Sequence, residues 1–253
     1  MIDTLSITNI LFLDVETVSG YEKFEDLNDE MQYLWKLKAA QISRVPASEL
    51  EEAACAELYS DKAAIYAEFG KIVCISAGLI VKEADEYHIR LKSFMGYDEA
   101  VLLTEFAELM NQYFNDASKH YLCGHNLVEF DVPYICRRMV IHGVKHPSLL
   151  QLHGKKPWET KYLLDTMTLW KFGDYKHYSS LKLLTGILGI PSPKDDIDGS
   201  QVGNVFYKDQ DLDRIAIYCE KDVVAVIQIL MKFKRMNIFE PDKIISLSTE
   251  TNE

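Results

Sequence analysis

The run Ile10-Leu11-Phe12-Leu13 is apolar at every position and leads directly into Asp14-Val15-Glu16-Thr17. A run of this kind reads as a buried β-strand. A carboxylate in such a place is costly unless something positive meets it. Side chains on a strand alternate between faces, so Asp14 and Glu16 point the same way. Two carboxylates converging on a core strand suggest a divalent cation, and the other ligands must come from elsewhere in the chain.

The elements that follow predict the scaffold. Residues 7–14 read as the first strand, followed by a helical insertion over 20–68 in which Ser48 and Glu51 have capping-box spacing. Two strands are expected over Lys71–Val81 and Glu86–Phe94. Asp98–Asn115 is an amphipathic helix, with Val101, Leu102, Phe106, Leu109, Met110 and Tyr113 at helical spacing. Short strands at Tyr121–Cys123 and Tyr162–Asp165 each lead into a helix, the first beginning near Val132-Pro133 and the second running through Trp170. A helix over Tyr178–Leu188, a polar loop over Pro191–Gly203, a long helix over Asp211–Met236 and a weakly ordered tail after Pro241 complete the chain. A meander followed by crossovers gives an α/β fold with a mixed β-sheet flanked by helices. One domain over 1–240 is expected, carrying the insertion after its first strand, with a C-terminal tail over 241–253.

The chain has 253 residues and is 48% hydrophobic, enough for a sizeable core. No apolar run reaches the roughly 20 residues needed to cross a bilayer. There is no secretory leader pattern, so a cytoplasmic protein without membrane partners is expected. Five cysteines without a two-residue spacing argue against a zinc knuckle or a disulfide framework, and read as small core residues. The formal net charge of −12 gives no basic footprint for nucleic acid. The distribution is uneven, however. Residues 1–70 hold 14 acidic and 5 basic side chains, whereas 137–177 hold 8 basic and 3 acidic, with His142, His146, His153 and His177 among them.

Further carboxylates lie near the ends of later elements. Asn126-Leu127-Val128-Glu129-Phe130-Asp131 follows a short strand, and Asp131 two residues before Pro133 also reads as a helix N-cap. In the last helix Tyr218 and Asp222 are four apart and share a face with Ile215 and Val226. The order is Asp-x-Glu on a strand, Asn-x-x-x-Phe-Asp at a helix start, then Tyr-x-x-x-Asp on a late helix. With these three motifs the chain resembles the DEDD 3′–5′ exonuclease superfamily (DnaQ-like), built on the ribonuclease H-like fold. Tyr218 makes it similar to the DEDDy branch, which includes the proofreading domains of family B polymerases. More closely still, it resembles stand-alone bacterial proteins described as predicted polymerase B-like 3′–5′ exonucleases. Lys171-Phe172-Gly173-Asp174 and the stretch Pro191–Ser200 look typical of that group.

The resemblance implies two Mg²⁺ or Mn²⁺ ions about 3.5–4 Å apart, clamping a scissile phosphate. Oxygen ligands suit such hard cations. By resemblance, Asp14 bridges both ions, Glu16 and Asp222 complete one site, and Asp131 holds the other. Tyr218 orients or helps deprotonate the attacking water. Residues beside the first motif, Phe12, Val15 and Thr17, together with Phe130, would wedge or bind the terminal nucleotide, although Phe12 and Phe130 also read as core. Asn126 would shape the substrate groove, and Lys176 or His177 would touch phosphate. His125 and His177 are the nearest alternatives for proton chemistry, because no histidine occurs from 178 to 253. Asp165 reads as a helix cap or a supporting group, and Asp195, Asp196 and Asp198 as a solvated loop. The expected substrates are 3′ ends of single-stranded DNA or RNA, in repair, proofreading or RNA trimming. Two rivals remain: a non-catalytic nucleic-acid-binding module on this fold, and a two-metal phosphoesterase acting on short oligonucleotides.

Overall fold

A computed structural model describes residues 2–174, 178–191 and 196–248. The first strand, β1 (Ile10–Ser19), is longer than its apolar run and continues through both carboxylates. Residues 7–9 form a 3-10 turn instead of strand. The insertion supplies α1 (Asp29–Ser43) and α2 (Glu52–Lys62). Ser48 does not start α2: it lies in a turn closed by Glu49 N–H donating to the Pro46 carbonyl, and Glu51 is the cap position. The insertion has its own small core around Trp35, whose indole N–H donates to the Cys55 carbonyl at 2.9 Å. Trp35 and Phe24 are buried there, while Tyr21 and Tyr33 are exposed.

Next come β2 (Gly70–Glu83), β3 (Glu86–Met95) and α3 (Glu99–Tyr113). Asp98 caps α3 by accepting from the Ala100 and Val101 amides. The buried stripe of α3 is Leu102, Leu103, Phe106, Ala107 and Met110, so Val101 and Tyr113 fall outside it and are exposed. Then follow β4 (Tyr121–Gly124), α4 (Asp131–Ile141), β5 (Leu163–Asp165) and α5 (Thr166–Lys171). The helix expected from Tyr178 is shorter: α6 (Leu181–Ile187) begins after Ser180, which accepts from the Leu183 amide as its cap. The expected polar loop is helical at its end, where α7 (Val202–Asn204) runs into a π turn over Val205–Asp209. The long helix α8 (Leu212–Phe233) is capped by Asp211. The stretch after Pro241 contains a further strand, β6 (Ile244–Ser246), held by parallel pairing with β3 from Ile89 to Leu91.

The sheet has the order β5-β4-β1-β2-β3-β6. β1–β2 and β2–β3 are antiparallel, and β1–β4, β4–β5 and β3–β6 are parallel. This is the mixed sheet flanked by helices that the element order predicts. Alternation along β1 divides the core. Leu11, Leu13 and Val15 pack with Phe106, Met110, Ile135 and Met139 from α3 and α4. Ile10 and Phe12 face the other way, against Val223, Val226, Ile227 and Leu230 of α8. Asp14 and Glu16 continue the second set, so their side chains point to the α8 face. Gly78 on β2 lets α8 lie close: a Cβ there would stand 2.6 Å from the Val223 side chain. Among the described residues, no helix is long and apolar enough to cross a membrane.

Candidate active site

Asp14 and Glu16 lie opposite Ser76 and Cys74 on β2, and the register shifts between Glu16 and Thr17. Glu16 is only 8% exposed, and among the described residues its carboxylate has no hydrogen bond or ion pair. Asp14 is half-buried. Its Oδ2 and its carbonyl each accept from the Cys219 thiol at 3.4 Å.

Asp131 arrives from the carboxyl end of β4. The chain turns there through Asn126, which adopts a left-handed conformation at φ 61°. Phe130 N–H donates to the Asn126 carbonyl at 2.9 Å, and the next residue, Asp131, begins α4. Asp131 is therefore in the first turn of the helix and is not its N-cap, a position Phe130 holds. Asp165 pins this turn. Its carboxylate accepts from the Asn126 and Val128 amides at 3.1 Å while also capping α5 through Met167 and Thr168. The sequence leaves Asp165 undecided between cap and support, and it does both.

The carboxylates share one electrostatic environment. Desolvation, then the charges of Asp131, Glu16 and Asp222, push the Asp14 carboxyl well above the usual range. Desolvation also raises Glu16, with Asp222, Cys74 and Asp131 adding to it. Asp131, 3% exposed, is raised to about 7 by burial, although hydrogen bonds from its own amide and that of Val15 oppose this. Asp14 and Glu16 are thus raised by burial and by the charges of neighbouring acids, and among the described residues neither meets a positive side chain. Divalent cations fit this donor set: hard oxygens are offered, and among the described residues nothing else meets the buried Glu16 carboxylate.

The remaining expected residues take varied positions. Tyr218, Cys219 and Asp222 all lie on α8, and Tyr218 and Asp222 are half-buried. Val15 and Phe12 are buried in the core, so a side-chain contact with substrate is not open to either, and the amide of Val15 serves Asp131. Thr17 is half-buried, as is Phe130, which packs 5.4 Å from Tyr134. Asn126 Oδ1 is buried without a hydrogen-bond partner. Lys176, His177 and Asp195 lie outside the described residues. His125 has both ring nitrogens engaged, Nδ1 with Thr166 Oγ1 at 2.9 Å and Nε2 with the Ser179 carbonyl at 2.8 Å. Burial lowers its pKa, so it is a neutral tether between loops. Asp196 pairs with Arg214 at 2.7 Å and Asp198 accepts from Ser200, as a solvated loop would. Sequence reasoning treated Cys219 as core filling. Its position three residues before Asp222, hence on the same helical face, is the signal that brings it to the site.

A family model described as a predicted 3′–5′ exonuclease related to the exonuclease domain of PolB matches residues 65–244. The chain belongs to this family. The match runs from the end of the insertion to the first residue of β6 and includes Asp131, Tyr218 and Asp222. It begins after β1, so Asp14 and Glu16 enter through the geometry alone. The sheet flanked by helices is consistent with the ribonuclease H-like fold of such exonucleases. No curated protein matches the chain.

Proposed function

We propose that this chain is a two-metal-ion-dependent 3′–5′ exonuclease. It hydrolyses phosphodiester bonds at the 3′ end of single-stranded DNA or RNA and releases nucleoside monophosphates. The observation that carries the reading is the buried Glu16, without a hydrogen bond or ion pair among the described residues, beside three further acids on a chain of this exonuclease family. Asp14, Glu16, Asp131 and Asp222 would hold the ions, Mg²⁺ or Mn²⁺. The ions supply charge neutralisation at the phosphate and a lowered pKa for the attacking water.

The chain's own groups do the rest. Tyr218 orients the water through its hydroxyl, so that the water oxygen attacks phosphorus while the bond to the preceding nucleotide's 3′ oxygen breaks. That oxygen leaves as the new 3′ hydroxyl. Asn126, Thr17 and Phe130 line the place of the terminal nucleotide, where an aromatic face accepts any base. Lys176 and His177 meet phosphate.

The net charge of −12 favours a second reading, action on short oligonucleotides, because long anionic chains are repelled. One assay separates the readings. Single-stranded DNA and RNA of matched sequence, labelled at the 5′ end, are incubated with Mn²⁺ or Mg²⁺, with and without chelator, beside Asp14→Ala. Stepwise shortening that needs metal and Asp14 is expected. Tight binding without cleavage under either metal identifies a non-catalytic module, and turnover of dinucleotides alone identifies the short-substrate enzyme.

A further inference from the structure

The donor atoms that converge most closely are not all oxygens. One ligand atom each of Asp14, Glu16 and Cys219 lie within 4.8 Å of one another. The Cys219 thiol points at Asp14 Oδ2, and Glu16, nine-tenths buried, has no hydrogen bond or ion pair among the described residues. We propose that Asp14, Glu16 and Cys219 form a mixed oxygen–sulfur site that takes a thiophilic divalent cation of the Zn²⁺ or Cd²⁺ class.

Bond lengths of about 2.3 Å to sulfur and 2.0–2.2 Å to oxygen place tetrahedral ligands roughly 3.4–3.6 Å apart. Donor atoms now within 4.8 Å of one another would have to draw closer to reach that spacing, around a cation shared by two like-charged carboxylates. Three protein donors leave the fourth position open to water. A thiolate is a soft ligand that Mg²⁺ does not favour and Zn²⁺ does. On binding, the Cys219 S–H bond breaks, an Sγ–metal bond forms, and the proton passes to solvent, so uptake releases protons.

Because Asp14 and Glu16 are shared, the soft cation excludes the hard ones. That consequence rests on the proposed function, whereas the binding itself does not. A nuclease of this design would be held inactive by zinc and released when zinc is withdrawn.

The test uses the full chain carrying Cys136→Ser, which removes the one cysteine that is partly exposed. Stripped of metal, it is titrated with Cd²⁺ while the ultraviolet thiolate-to-metal charge-transfer absorption is followed. The band is expected to saturate at one ion per chain. Cys219→Ser should abolish it and weaken Cd²⁺ binding by at least about tenfold, since losing even an outer-shell partner has that effect. Cys74→Ser should retain it. Circular dichroism, with Cys219→Ala as a second variant, establishes that loss of the band occurs in a folded chain. A band that survives in Cys219→Ser, no band in the parent, or an unchanged Cd²⁺ affinity in Glu16→Gln overturns the proposal. A chain that shows the band and cleaves nothing defeats the proposed function alone, and cleavage without the band defeats this site alone.

Discussion

Glu16 and Glu99 are buried on opposite sides of this sheet, and the chain treats them differently. Glu99, 5% exposed, begins α3 and is fully met. It accepts from the Ile72 amide at 2.7 Å, from Arg138 Nε at 2.8 Å, and is bonded to His142 Nε2 at 2.7 Å. Glu16, 8% exposed, faces α8 with other acids for company. A buried carboxylate that finishes its own ion pair is part of the scaffold. One that is left unfinished is poised for something from outside, and here that means cations.

The largest expected effect tests the finished side. Arg138→Ala removes the guanidinium that meets Glu99 and should cost about 3–5 kcal/mol in urea unfolding, whereas replacing both partners by apolar residues of similar volume should be near neutral. If Arg138→Ala is mild, Glu99 is not the closed site described. On the unfinished side, Asp14→Ala should cut 3′-end hydrolysis by roughly 10²–10³-fold or more, the scale of losing an electrostatic stabiliser. Its folded stability without metal should hold or rise. Tyr218→Phe should slow hydrolysis by about 10²-fold while metal binding stays intact, the scale for a group that handles a proton. An unchanged rate would remove Tyr218 from the mechanism.

The smallest effects are in pH and are the most diagnostic. Asp131 is raised from 3.8 to about 7, so the folded chain holds its proton more tightly than the unfolded chain does. Metal-free stability should therefore fall as pH climbs from about 4 through about 7 and level off above. Mn²⁺ should oppose that fall, most strongly above pH 7. Glu16→Gln should stabilise the metal-free protein by about 1 kcal/mol at pH 8, as removing strained function often does. Thermal melts across that range, with and without Mn²⁺, measure both. A stability that rises with pH in the absence of metal would show that the acids are already compensated.

Features set by short-range patterns were legible in the chain. Alternation alone places Asp14 and Glu16 on one face of β1, and helical spacing places Tyr218 with Asp222. Features set by pairing across the chain were not. Nothing in Ile244-Ile245-Ser246 announces a strand until β3 is there to receive it. Ser48 and Glu51 have the spacing of a capping box, yet the turn at Pro46 delays the helix. Glu99 and Arg138 are 39 residues apart, and their ion pair exists only once α3 and α4 are packed. The contact of Cys219 with Asp14 spans 205 residues.

The modest strand β6 has a further consequence. Among the described residues, both outermost strands of the sheet, β5 and β6, are three residues long, whereas β1, β2 and β3 run to ten or more. A long bare edge is a template for another chain. β6 and Ser248 occupy the rim of β3 from Ile89 to Ser93, so a neighbour finds that stretch of ladder already taken. A chain cut after Lys243 would bare the rim of β3 from Ile89 to Ser93, which β6 and the two residues after it now cover, and should self-associate as its concentration rises.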